Sequence, residues 1–198
     1  MHAETVGQRA LPRLSWHQGG RMEYRIEQGW LEQARRVPSP NCEARPAGLA
    51  PELLVIHNIS LPPGQFGGDC IERLFTNRLD WDEHPYFREI RGLRVSSHLL
   101  IQRDGGLLQF VDFRQRAWHA GRSCYAGRDN CNDFSIGIEL EGTDERPYTD
   151  AQYHCLQGVT RALLACFPGL GPGRIVGHSD IAPGRKTDPG PAFDWARY

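Results

Sequence analysis

Lysine is all but absent from this chain: of 23 Lys plus Arg residues only Lys186 is lysine, and the rest are arginine. An excess of either charge is lacking too, since those cations face 24 Asp plus Glu and leave a formal net charge of −1. Bulk electrostatics therefore recruits neither nucleic acid nor an anionic membrane surface. No apolar run approaches the ~20 residues that span a bilayer. The first 21 residues (MHAETVGQRALPRLSWHQGGR) lack the hydrophobic stretch of a secretory signal. Internal repeats and low-complexity tracts are missing as well. The six cysteines, at 42, 70, 124, 131, 155 and 166, form no CxxC or zinc-ribbon spacing, and 198 residues can bury a core without covalent staples. They are expected to be reduced thiols, mostly packing residues.

The patterning that is present predicts one α/β domain. Leu53–Ile59 (LLVIHNI) runs into Ser60-Leu61-Pro62-Pro63-Gly64 and reads as a buried strand entering a loop. Residues 69–79 suggest a short helix. Ser97–Gln102 and Leu107–Val111 flank Asp104-Gly105, a hairpin signal because Asp-Gly favours φ > 0. Phe134–Leu140 (FSIGIEL) and Arg174–Gly177 (RIVG) are further strands. Thr149 with Gln152 three residues on makes a capping box. Tyr153, Leu156, Val159, Leu163 and Cys166 then recur at helical spacing until Pro168-Gly169 stops the helix. The fold class expected is a single domain over residues 23–198, a mixed β-sheet flanked by α-helices. Residues 1–22 are expected to be an extension, disordered or not native, with Met22 a candidate start.

His57 and His178 share a context: each follows an apolar strand (LLVIH, RIVGH), at the strand end where α/β folds open their ligand crevices. Asp188 follows in HSDIAPGRKTDPG, whose Pro and Gly residues turn the chain back toward His178. Two imidazoles and a carboxylate form a hydrolytic zinc set, with the fourth position left for water. Two core histidines and an unrelated capping aspartate would look the same. Glu139, flanked by Ile138 and Leu140, is costly in an apolar strand unless paired or employed. Burial raises a carboxyl pKa, which suits a general base; a structural salt bridge is the rival account. Glu141 shares the strand face of Glu139 by alternation. The lone Lys186 puts a compact charge two residues before Asp188 where this chain otherwise uses the arginine fork. Chance within an arginine-rich composition is the alternative. His98 reads as a hydrogen-bonded core residue, His84 as a loop or rim residue, and His154 as the solvated side of its helix. His119 either lines a cleft or packs, and His2 and His17 fall in the extension.

The blocks LLVIHNISLPPGQFG, EHPYF, RAWHAG, CNDFSIGIELEGTD, YTDAQY and GHSDIAPGRKTDPG run in order between about Gly29 and Trp195. Together they resemble the zinc N-acetylmuramoyl-L-alanine amidase family, which includes phage amidases and peptidoglycan-recognition proteins. Within it, the similarity is to the cytoplasmic amidases of peptidoglycan recycling. The resemblance implies Zn2+ held by His57, His178 and Asp188, with Glu139 as the acid/base residue and Lys186 stabilising the oxyanion. It also implies Asn58, Tyr86, Arg94, Trp118 and His119 near the substrate. The activity implied is hydrolysis of the lactyl–L-Ala amide of 1,6-anhydro-N-acetylmuramyl peptides. The partner is then that small muropeptide, with no nucleic acid and no membrane, and the chain is expected to be a cytoplasmic monomer. The alternative is an amidase acting on intact cell-wall peptidoglycan, which would be expected to carry an export signal or a wall-binding module. A non-catalytic binding module would typically have lost a metal ligand. A zinc hydrolase of another acyl amide is opposed only by the blocks outside the metal set. The first 21 residues are extra to the family pattern, and the chain stops at Tyr198 where relatives usually continue.

Overall fold

The computed structural model describes residues 23–198, and the expected extension over residues 1–22 lies outside them. A six-stranded sheet organises the domain. Its strands are β1 (Arg35–Arg36), β2 (Leu53–Ile59), β3 (Leu99–Ile101), β4 (Leu107–Gln109), β5 (Ser135–Glu141) and β6 (Ile175–Gly177). In space they run β6-β2-β5-β3-β4-β1. Every neighbouring pair is parallel except the β3–β4 hairpin, which gives the mixed sheet expected. In the hairpin turn Gly105 has φ +88°, and a Cβ there would stand 3.1 Å from the Cys155 sulfur. Glycine is required both by the left-handed backbone and by the close approach of the helix. Short two-stranded ladders at 26–31, 42–43 with 116–117, and 124–129 close the periphery.

Alternation along the two central strands separates a packing face from a working face. Leu54 and Ile56 on β2, with Ile136, Ile138 and Leu140 on β5, meet Leu156, Val159 and Leu163 of α3 (Asp150–Cys166) in the main core. The predicted capping box starts this helix: the Thr149 hydroxyl accepts from the Gln152 backbone N–H, and the Gln152 side chain accepts from that of Thr149. A second core lies under α1 (Cys70–Phe75) and α2 (Pro85–Glu89), against Leu100, Leu108 and Phe110. The first of these is shorter than the 69–79 helix expected. Thr76 caps it, and Asn77 turns to φ +58° with its side-chain amide on Asn41.

All six cysteines are free thiols and four of them pack against the hydrophobic cores, as expected. Cys131 and Cys155 are buried, Cys42 and Cys70 half-buried, Cys124 and Cys166 exposed. Cys166 was expected on the apolar face of α3; instead the chain leaves the helix there and Phe167 packs onto the core. His98 is fully buried as expected, and His84 accepts the Tyr86 N–H at the start of α2. Among the described residues no helix is long and apolar enough to cross a membrane.

Register does the rest. The parallel pairing of β2 with β5 sets His57 beside Glu139, and that of β6 with β2 sets Gly177 beside Ile56. His178, one residue on, opens α4 (His178–Ile181) and reaches His57. Both histidines thus stand at the carboxyl end of the sheet, on the side opposite α3.

Candidate active site

Three side chains converge there. His57 Nδ1 lies 2.9 Å from His178 Nδ1 and 3.1 Å from Asp188 Oδ2, and His178 Nδ1 lies 3.0 Å from the same carboxylate oxygen. Among the described residues this is the one cluster of His, Cys, Asp or Glu whose ligand atoms could share a metal ion. The loop that returns Asp188 is held in several places. The Asp188 carbonyl accepts the Ser179 N–H, and the Pro189 carbonyl accepts both the Tyr148 hydroxyl and the Asn58 amide. Pro189 also lies so close to Gly177 that a Cβ on that residue would meet its ring at 2.8 Å.

The donor chemistry of the trio calls for a cation. His178 Nε2 lies 3.0 Å from the Ala120 carbonyl, which can only accept, so a ring proton is on Nε2 and Nδ1 is the nitrogen left to face Asp188. A nitrogen lone pair at that 3.0 Å distance from a carboxylate oxygen is favourable only with positive charge between them, which a metal ion would supply. Burial pushes His57 down to about 4, with the neighbouring His178 adding to the shift and Asp188 opposing it, so the ring is neutral at pH 7. Burial alone would raise Asp188, but the adjoining His178 and His57 outweigh it and hold the carboxyl well below its usual range. Two imidazole nitrogens and one ionised carboxylate oxygen form a donor set that fits a divalent metal.

Glu139 occupies the same cleft, a cavity of about 570 Å3, and its Oε2 is buried with no hydrogen-bond partner. Burial and the nearby Asp188 raise its carboxyl well above the ordinary value, with Lys186 a smaller opposing influence. The rival reading, a structural salt bridge, finds no support in the geometry, because among the described residues Glu139 makes no ion pair within 4.0 Å. Its neighbour Glu141 is fully engaged, accepting the backbone N–H groups of Gly67 and Arg103. Lys186 lines the cleft and is exposed.

Asn58, Tyr86, Arg94, Trp118 and His119 all line the cleft. Two of them carry further duties. The Asn58 amide nitrogen donates to Asp144 and to the Pro189 carbonyl, fastening the Asp188 loop. His119 is buried behind His57, with both ring nitrogens engaged: Nδ1 at 2.9 Å from His57 Nε2 and Nε2 at 3.0 Å from Ser135 Oγ. Sequence reasoning missed Ser135, Asn132 and Arg185. The clue available was Gly137 in FSIGIEL, since an isolated glycine inside a strand signals close approach of another group.

Comparison with known proteins agrees with this geometry. The family model described as N-acetylmuramoyl-L-alanine amidase matches residues 47–191. The 1,6-anhydro-N-acetylmuramyl-L-alanine amidase AmpD of Escherichia coli strain K12 is 63% identical over 173 residues, covering 87% of this chain and 94% of that protein. The crystal structure of a selenomethionine AmpD derivative superposes with a TM-score of 0.85 at 60% identity, over 87% of this chain and 96% of the other. The E. coli amidase AmiD in complex with anhydro-N-acetylmuramic acid-L-Ala-D-γ-Glu-L-Lys superposes with a TM-score of 0.55 at 28% identity, over 88% of this chain and 63% of that one. This chain belongs to the N-acetylmuramoyl-L-alanine amidase family.

Proposed function

We propose that the chain is a zinc-dependent amidase that cleaves the lactyl–L-Ala amide of 1,6-anhydro-N-acetylmuramyl peptides, in cytoplasmic recycling of peptidoglycan. The observation that carries this reading is the unpartnered, buried Glu139 carboxylate oxygen in the cleft formed by three converging ligand atoms. The likeness to AmpD over nearly its whole length supports the choice of substrate. His57 and His178, through Nδ1, and Asp188, through Oδ2, would hold the zinc. When bound, the ion supplies Lewis acidity, lowering the pKa of water toward ~7 and polarising a carbonyl.

The protein's own groups do the rest. Glu139 takes the proton of the attacking water on its unpartnered Oε2, the atom with no competing hydrogen bond. A carboxyl raised by burial can then return that proton to the departing amine of L-Ala. The Lys186 ammonium neutralises the oxyanion that develops on the scissile carbonyl, where loss of one such donor costs roughly 3 kcal/mol. Lysine suits the place because the forked guanidinium of arginine would crowd a small metal centre. The apolar walls contributed by Tyr86 and Trp118 and the cation of Arg94 line the rest of the cavity, where sugar and peptide would lie.

The test is mass spectrometry of products after incubation with anhydromuramyl-L-Ala peptide, with and without a chelator, alongside intact cell-wall peptidoglycan. Release of the free peptide from the small substrate, abolished by chelation and restored by zinc, is expected. Release from intact wall alone would replace the substrate assignment, and turnover indifferent to chelation would end the zinc reading.

A further inference from the structure

The two imidazoles of the site are backed by one short segment, Trp118–Gly121. Its His119 ring meets His57 from behind, Nδ1 to Nε2 at 2.9 Å, and its Ala120 carbonyl meets His178 Nε2 at 3.0 Å. Both contacts fall on the ring nitrogen that does not face Asp188. At its centre the Asn132 amide oxygen accepts the backbone N–H groups of both His119 at 3.1 Å and Ala120 at 2.8 Å, while Ser96 Oγ accepts that of Trp118 and Arg185 donates to the Ala120 carbonyl.

Proton bookkeeping along this row has one solution. If His57 Nδ1 is a lone pair toward the metal, the ring proton is on Nε2 and must be donated to His119 Nδ1. His119 then carries its proton on Nε2 and donates it to Ser135 Oγ, 3.0 Å away. A hydroxyl can accept, so every nitrogen in the row is satisfied. The strand beneath has been cleared to allow it. Ser135, Gly137 and Glu139 alternate on one face of β5, and a Cβ on Gly137 would stand 2.5 Å from His119 Cγ and Nδ1. Glycine in a central strand weakens it, so its presence under the ring needs a reason, and seating His119 supplies one.

We propose that His119 is a positioning residue that fixes the tautomer and ring plane of the metal ligand His57, and that Asn132 holds the segment from which it acts. This rests on the reading of His57, His178 and Asp188 as metal ligands. Groups that orient a ligating histidine through its second nitrogen typically change metal affinity 10–100-fold when removed. His119 is thus assigned to the metal rather than to recognition of the substrate, although it borders the same cleft.

Zinc affinity, measured by competition with a chromogenic chelator, separates the possibilities. His119→Phe keeps the ring volume but cannot accept, and is expected to weaken zinc binding about 10–100-fold. His119→Asn places an amide oxygen where Nδ1 stood and is expected to restore most of that affinity, a rescue that a volume-filling role would not show. Wild-type affinity in a folded His119→Phe protein, with His57→Ala unable to hold zinc, would overturn this proposal and leave the ligand reading intact. Wild-type affinity in His57→Ala would instead overturn the ligand reading and this one with it. Should His119→Phe fail to fold, long-range 1H–15N spectra of the zinc-loaded wild type decide. Protons on Nε2 of both His57 and His119 are expected. A proton on His119 Nδ1, with His57 still protonated on Nε2, would overturn the positioning role alone.

Discussion

Replacing Glu139 with leucine should stabilise the metal-free protein while abolishing turnover. The carboxylate sits in the cleft with Oε2 buried and unpartnered, and its pKa is raised by burial and by Asp188. A buried polar atom left without a hydrogen bond costs about 1–3 kcal/mol, and leucine of similar size removes that cost. For a domain of this size each kcal/mol moves Tm by about 2–4 °C, so a rise of about 2–12 °C is expected in the apoprotein. The pH dependence has a definite sign. A carboxyl raised in the folded state binds its proton more tightly folded than unfolded, so its contribution is intact below about pH 4 and is lost as pH rises through the folded pKa. The advantage of the Glu139→Leu protein should therefore be greatest near pH 7 and shrink toward pH 4. Calorimetry of both metal-free proteins across that range, with product release measured on the zinc-loaded forms, is the assay. Loss of the general base should lower kcat by about 10²–10⁴. A Tm lowered at neutral pH would mean that Glu139 belongs to a stabilising ion pair, and retained turnover would remove it from the chemistry.

Lys186→Arg should lose most of kcat while keeping full zinc occupancy by elemental analysis; near-normal turnover would take Lys186 out of the mechanism. His98, fully buried and pushed down to about 3 by burial and by Arg45, binds its proton less tightly folded than unfolded. Its neutral form thus contributes stability present above about pH 6.5 and lost as pH falls toward 3, at up to ~1.4 kcal/mol per pH unit. Urea unfolding between pH 4 and 7 should show a shallower pH slope in His98→Gln, and an unchanged slope would refute that assignment. Thr149→Ala, which breaks the capping box of α3, should cost about 1 kcal/mol, read as a fall in Tm with activity preserved.

The sheet was legible because its apolar runs are short, bounded by turn residues and alternate cleanly. LLVIHNI became β2 residue for residue. The convergence of His57, His178 and Asp188 was legible only in part: both histidines lie toward the carboxyl ends of apolar strands and the Pro and Gly residues before Asp188 let the loop return, a pattern that two core histidines and an unrelated aspartate would also show. Register was not legible, yet it is what puts His57 beside Glu139 and makes the two a site. His119 shows the limit most plainly. RAWHAG allowed both cleft wall and packing, and the residue does both because its partners, His57 and Ser135, come from two other strands. No local pattern encodes a contact across 62 positions. Cys166 misled because it is the last residue of α3 and exposed there, and Phe167, the C-cap, takes over the packing.

The central claim is that two imidazoles and one carboxylate grip a single zinc ion, and X-ray absorption at the zinc edge of the loaded protein tests it most directly. One zinc per chain is expected, in a shell of nitrogen and oxygen with the multiple-scattering signature of two histidines, reduced to one in His178→Ala if any metal is retained. A shell containing sulfur, or an unaltered two-histidine signature in His57→Ala or His178→Ala, would contradict the account.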